Sequence, residues 1–313
     1  MTSLPSYLAA AKAVPLANRA PWYKTIMPAY LGVMLWFVFW QNLSTGGLKV
    51  CPPGGTLAAG LIPALLGLAL AAAICHFLFY LVPGMLGMQT GLPLYVVGTS
   101  TYGAKGGLLM PGFLMGLLQF GWLAVNGWAV GATLCTCFQV GLGPDGTTVL
   151  EPGLWHGAIA SAWILLAAFV GLKGIQYVGP VGTYLPLIPV VILLILLGKT
   201  FGGLGGFDVD KVIHAKPAVE SEAPTDLNET PKSSPAAAAQ PLPLTTWQVG
   251  GILCIYVVGF FATAGAAGTD IAMSSRNARD VHVGGLMGIL VPTVLAGGAG
   301  MLVVAGAYGA GLV

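Results

Sequence analysis

Residues 60–82 read "GLIPALLGLALAAAICHFLFYLV" and contain no Asp, Glu, Lys or Arg. A transmembrane helix needs roughly 20 mainly apolar residues, so this stretch is read as a membrane span. Working outward from it, seven runs qualify: 25–44, 57–83, 108–139, 154–172, 178–199, 247–267 and 283–311. The third exceeds one crossing, so it is expected to tilt or to include interfacial turns. The runs are continuous rather than alternating, which predicts helices and not barrel strands. The expected fold class is an all-α polytopic membrane protein with about seven transmembrane helices. Composition agrees: of 313 residues, 56% are hydrophobic and 7% charged, with mean hydropathy +0.86. A soluble domain is about 25% charged. Twelve Lys+Arg and ten Asp+Glu cannot cover a water-soluble surface of this size. Soluble enzyme folds are therefore excluded, and the expected partner is the lipid bilayer. A net charge of +2 gives no ground for a nucleic-acid partner.

The five cysteines show no metal or haem spacing; Cys135-Thr-Cys137 is not CxxC, and Cys75 and Cys254 fall inside apolar runs. The first apolar run begins near Ile26 and is long enough to remain as a span, so no cleavable signal is expected. Charge placement puts the N-terminus on the cytoplasmic side of a cell membrane. Lys12, Arg19, Lys24, Lys105, Lys173, Arg276 and Arg279 then lie inside. Lys49, Lys199, Lys211, Lys216 and Lys232 lie outside, three of them in one long loop that carries little weight. The C-terminus is then external. Four segments follow: a cytoplasmic stretch 1–24, a five-helix block 25–205, a linker 206–244 and two further helices in 245–313. The linker is rich in Pro, Ala and acids and is expected to be disordered and external. Its Asn228-Glu-Thr230 is a glycosylation sequon only in a eukaryotic host.

Ionisable residues within spans usually mark ion paths, and here they are nearly absent. His76 is the central one; it is either hydrogen-bonded to a neighbouring helix or part of a proton relay. Asp270, at the inner end of span six, is either a capping group or a coupling or gating group. Neither a His/Glu pair at i,i+4 nor a pair of intramembrane Asp residues is present, so intramembrane hydrolysis is not expected. No Lys lies between His282 and Val313, so a retinal Schiff base in the last span is excluded. Recognition of an uncharged or weakly charged solute remains, with no catalytic residue, metal or cofactor expected. In "LLQFGWLAVNGWAVG" (117–131), Gln119, Trp122 and Asn126 share one helical face. Trp122 offers a planar π-surface and Asn126 a donor and an acceptor one turn on. That face either binds a flat heterocycle or glues helices together. In "GFFATAGAAGTD" (259–270), Gly259, Gly265 and Gly268 surround Thr263. The glycines either break the helix and free backbone groups for a ligand, or allow close packing. Phe260 and Phe261 could form a second aromatic wall. In span one, "YLGVMLWFVFWQNL" (30–43), Trp40 is placed in the interfacial belt, and Gly32 is a weak break point.

Residues 87–131 resemble the nucleobase–cation symporter family, which includes the cytosine, purine and hydantoin permeases. The matching pieces are Gln89-Thr90-Gly91-Leu92 for the family's "KTGL", Thr101 to Gly106 for its "SFGxxG" turn, and Gly121-Trp122-Leu123-Ala124 for its "GWFG". "GTDIAMSSRNARD" (268–280) is similar to the "ADFxRFxRN" close of a broken sixth helix, with Asp270, Arg276 and Asn277 matching. Met273 and Ser274 depart from that pattern, as do the residues at 99–100 and the 206–244 insertion. The resemblance implies a five-plus-five inverted repeat working by alternating access, with 25–205 as the first repeat and 245–313 as the start of the second. It implies that Trp122 stacks on the substrate ring, that Asn126 and Gln119 bind the ring edge, and that Phe261, Thr263 and Gly265 lie near the substrate. Asp270 and Gly32 would take part in coupling or gating. Family members have about twelve helices, so the resemblance also implies a fragment of a longer protein, with sodium or a proton as the coupling cation. The expected function is import of a cytosine, purine, hydantoin or allantoin-class heterocycle by cation symport. The alternative is a non-transporting membrane scaffold or subunit derived from a truncated permease.

Overall fold

The computed structural model describes residues 5–40, 42–46, 52–144, 146, 148–151, 153–173, 175–214 and 242–312, the side chains of 37, 38, 175 and 176 aside. Among them no strand is present, only two isolated bridges. Six helices are long and apolar enough to cross a membrane, as in a polytopic membrane protein. They are α3 (Leu61–Thr90), α4 (Thr99–Phe138), α5 (Leu154–Leu172), α6 (Tyr177–Gly206), α7 (Thr246–Ala266) and α9 (Ala278–Gly309). The first expected span, 25–44, is not one helix: it forms α1 (Ile26–Met34) and the short α2 (Phe37–Trp40). A five-residue helix, α8 (Gly268–Ala272), lies between α7 and α9. The outer helices carry apolar side chains outward, Leu154 at 85% exposure and Leu172 at 86%. Water would not tolerate that surface; hydrocarbon does. Most of the expected linker, 215–241 with its sequon, lies outside the described residues. Its start is ordered: Val209–Ile213 is helical, with Asp208 Oδ1 accepting from Asp210 N at 3.1 Å.

The chain divides into two compact units. The first comprises Met1–Val33, His76–Pro186 and Ala262–Ile289. Its core holds Ile26, Tyr30, Tyr80, Val281 and Ile289, all fully buried. Glycines set its closest approaches. Gly87 of α3 lies directly under the Thr269 carbonyl of α8, and Gly284 of α9 lies on Ile26. Gly32 lies within α1 against Gly182 of α6, so it is a crossing point and not a break. α4 and α5 form a hairpin in which Gly127 meets Ile164 and Gly131 meets the His156 ring, whose Nε2 lies 3.1 Å from Trp128 O. The extra length of α4 is not a straight rod. Gly103 sits at φ 71° and ψ 171°, and a π-helical segment containing Pro111 follows. α3 ends at Gly91 (φ 65°), the left-handed close that glycine allows. The N-terminal stretch straps this end. Val14 N donates to Gly91 O at 2.9 Å, and Arg19 Nη1 to Met88 O at 2.6 Å.

The second unit comprises Met34–Cys75, Leu187–Phe261 and Leu290–Val313. Here the expected first span is interrupted at Leu35–Trp36. The physical reason is a side chain: Trp40 Nε1 donates to Met34 O at 2.5 Å, satisfying a carbonyl that a continuous helix would use. Trp40 is thereby 5% exposed, a buried cap and not the interfacial anchor expected. Phe39 stacks on Tyr256 and Phe260 at 4.4 and 3.9 Å between centroids. A cavity of about 180 Å³ is lined by apolar residues including Leu35, Pro189, Leu193 and Val304. None of the expected substrate-binding residues lines it.

Candidate functional site

In the first unit, α4 presents Trp122 and Asn126 one turn apart, and each is hydrogen-bonded to another helix. Trp122 Nε1 donates to Thr263 Oγ1 near the end of α7 at 2.9 Å. Trp163 Nε1 of α5 donates to Asn126 Oδ1 at 2.7 Å. An indole nitrogen donates and never accepts. The second bond therefore fixes the amide of Asn126, with Oδ1 on Trp163 and the Nδ2 donors directed elsewhere. Thr263 accepts from Trp122 and keeps its own hydroxyl hydrogen. Trp122, Asn126 and Thr263 are each half-buried. The arrangement sets a flat indole beside two kinds of donor, the Asn126 amide and the Thr263 hydroxyl. It suits a planar ligand whose edge carries acceptors.

Thr263 lies four residues before an interruption. α7 runs through Gly259 and Gly265 without a break, turns at Ala267 and restarts at Gly268. Ala267 keeps nearly helical angles, φ −65° and ψ −6°, so the interruption is one residue long. Tyr30 holds it. Its hydroxyl donates to Ala264 O at 2.9 Å, the carbonyl that a continuous helix would give to Gly268 N–H. Gly268 is needed beside it, because a β-carbon there would come within 3.2 Å of the Tyr30 hydroxyl and 3.1 Å of the Tyr80 ring. Beyond the end of that span, Asp270 Oδ1 accepts from Leu94 N at 2.9 Å. Burial pushes its carboxyl above the ordinary carboxylate range, and the Leu94 bond opposes this only in part.

The other expected site residues fall as follows. Gly265 is buried within α7. Phe261 is fully buried and belongs to the second unit. Gln119 is exposed, so it does not share the half-buried setting of Trp122 and Asn126. Gly32 packs on Gly182 as described. Two residues of the site were not expected. Trp163 carries no periodic signal in its mainly apolar helix, and Tyr30 was one aromatic among many in span one. Among the described residues no group of three or more metal-ligating side chains occurs. The chain matches no protein-family model and no curated protein.

Proposed function

We propose that the chain is a secondary transporter that imports a planar heterocycle of the nucleobase class by cation symport. The observation that carries this reading is the Trp122–Thr263 bond, which joins the third span to the sixth just before its interruption. Interrupted helices expose backbone groups that bind solutes within a membrane, and a π-face beside one is a stacking surface. Asn126 Nδ2 and the Thr263 hydroxyl then donate to ring nitrogens or carbonyls. An inverted repeat fits the same pattern. The first and sixth spans are both interrupted, at 35–36 and at 267. The second and seventh both carry π-helical segments, Cys75–Tyr80 and Leu286–Leu290. We take the N-terminus as cytoplasmic, as the Lys/Arg balance suggests.

The test is uptake of radiolabelled adenine and cytosine in cells expressing the chain. Stacking of a base on an aromatic contributes about 1–3 kcal/mol, so Trp122→Ala should weaken apparent affinity by about 5- to 150-fold. Undiminished uptake in that variant rejects the site. A second reading, a non-transporting scaffold, is favoured by one observation. The Trp122 N–H and the Asn126 carbonyl oxygen are both used on protein partners, as helix-gluing groups would be. Wild-type uptake equal to that of cells lacking the chain supports the scaffold.

A further inference from the structure

His76 opens the first unit's share of α3, inside the π-helical segment Cys75–Tyr80. It is fully buried. Neither ring nitrogen has a hydrogen-bond partner among the described residues. Its neighbours are apolar or already committed. Phe77 meets it edge-on at 4.6 Å and Tyr80 lies at 5.8 Å between centroids. The Tyr80 hydroxyl donates to Val281 O at 3.1 Å. Tyr30, edge-on to Tyr80 at 5.2 Å, donates to Ala264 O. Across the contact, Gly285 of α9 packs against the Tyr80 and His76 rings: a β-carbon there would meet Tyr80 Cε1 first and come within 2.7 Å of His76 Nδ1 and Cε1. Gly285 immediately precedes the second π-helical segment, Leu286–Leu290. Among the described residues, the titratable groups near the ring are Tyr80 on its own helix and the exposed His282 on α9, which interacts with it electrostatically, with Tyr30 of α1 behind Tyr80. Asp270 of α8 acts on Tyr30 in turn.

A buried polar atom left unpaired is costly, and phenylalanine would fill the same space without that cost. Unpaired buried groups in native proteins call for a reason. An ionisable group within a span is by default a functional one, and π-helical turns concentrate at functional sites. A π turn can also revert to α by a shift of one residue, so the His76–Gly285 contact joins two elements that can change register.

We propose that His76 is a proton-binding site, loaded when the two π-helical segments part, and that it is the coupling group of the carrier; this rests on the transport reading above. The step balances simply. An imidazole nitrogen takes a proton from hydronium in the entering water, leaving water, and the imidazolium later returns that proton to water on the other side. In the closed arrangement an imidazolium would have neither a counter-ion nor an acceptor. The closed arrangement therefore holds the imidazole neutral and the parted one favours its protonation, and that difference in proton affinity between two states is what coupling requires.

The experiment uses the full chain in proteoliposomes with a trapped pH-sensitive dye and radiolabelled adenine and cytosine. Wild type should accumulate a probe at least 10-fold under an acid-outside gradient and acidify the lumen with it. His76→Gln should equilibrate the probe without accumulation or acidification, and His76→Phe, which keeps the packing, should do the same. Accumulation in either variant within 2-fold of wild type overturns the proposal. So does wild-type accumulation without proton entry. If neither probe enters wild-type vesicles, the transport reading fails, and the site is judged by ¹⁵N imidazole spectra between pH 4 and 8. With four histidines in the chain, the difference from His76→Gln identifies the signal. A His76 resonance that titrates in that range supports the proton site, and an invariant one overturns it.

Discussion

Tyr30→Phe isolates the group that holds the sixth span open. Phenylalanine keeps the fully buried ring and its edge-on contact with Tyr80 at 5.2 Å between centroids. It removes the hydroxyl that donates to Ala264 O at 2.9 Å. Two estimates bound the cost. Stranding a buried carbonyl costs about 1–3 kcal/mol. Hydrogen bonds inside membrane proteins average only about 0.6 kcal/mol and reach about 1.7, because the unfolded chain in the membrane also finds partners. Ala264 has a local substitute, since Gly268 N–H stands four residues on and a slight closure of the turn would bring it to that carbonyl. The expected loss is therefore about 1 kcal/mol, with a structural signature: the interruption at Ala267 shortens. Unfolding in mixed micelles by added denaturing detergent measures the first. Amide hydrogen exchange across Gly268–Ala272 measures the second, and the Gly268 amide should exchange more slowly in the variant. Unchanged stability together with unchanged exchange at Gly268 would refute the claim that a tyrosine hydroxyl maintains the break.

Two further outcomes follow from the same unit. Gly87→Ala sets a β-carbon into the Thr269 carbonyl of α8; backbone cannot yield as a flexible side chain would, so the loss should be about 1–3 kcal/mol or more, read by the same unfolding assay and by loss of the monodisperse peak in size-exclusion chromatography. Asp270 is raised by burial, so its folded form holds a proton more tightly than the unfolded chain does. Its contribution to stability is then lost as pH rises from the ordinary carboxylate value through the raised one. Asp270→Asn keeps an oxygen for Leu94 N and should be more stable than wild type near pH 7, with the difference vanishing toward pH 4. Parallel stability profiles of the two proteins would contradict this.

The spans were readable because lipid demands one thing of a helix, an absence of charge over about twenty residues. Span four was expected at 154–172 and runs Leu154–Leu172. Span two was expected to end at 83 but continues to Thr90. Hydropathy falls across Gly84 to Gln89, while the backbone stays helical until the left-handed Gly91. The interruption of span one was not readable at its true place. Neither glycine nor proline stands at Leu35–Trp36. The break is held by an indole that returns from Trp40, and a contact of that kind has no periodicity. Gly32 looked like a weak point for its residue type, yet its small size serves an approach to Gly182. With 47 glycines in the chain, residue type alone cannot separate hinges from crossings.

The site divides along the same line. That Trp122 and Asn126 share a face follows from helical spacing. Their partners, Thr263 and Trp163, come from other spans, and a donor in the sequence does not name its acceptor. Those partners bear on function more than on fold. A committed hydrogen bond is often taken as evidence of a purely structural role. Inside a membrane the inference is weak, because such a bond contributes about 0.6 kcal/mol on average, while a ring stacked on Trp122 would contribute about 1–3 kcal/mol. Under the proposed reading the two are compatible, because a ring stacked on the indole face leaves the in-plane N–H on Thr263. The Trp122–Thr263 bond fixes the plane of the indole, which a structural role and the proposed stacking role would both require, so it does not decide between them.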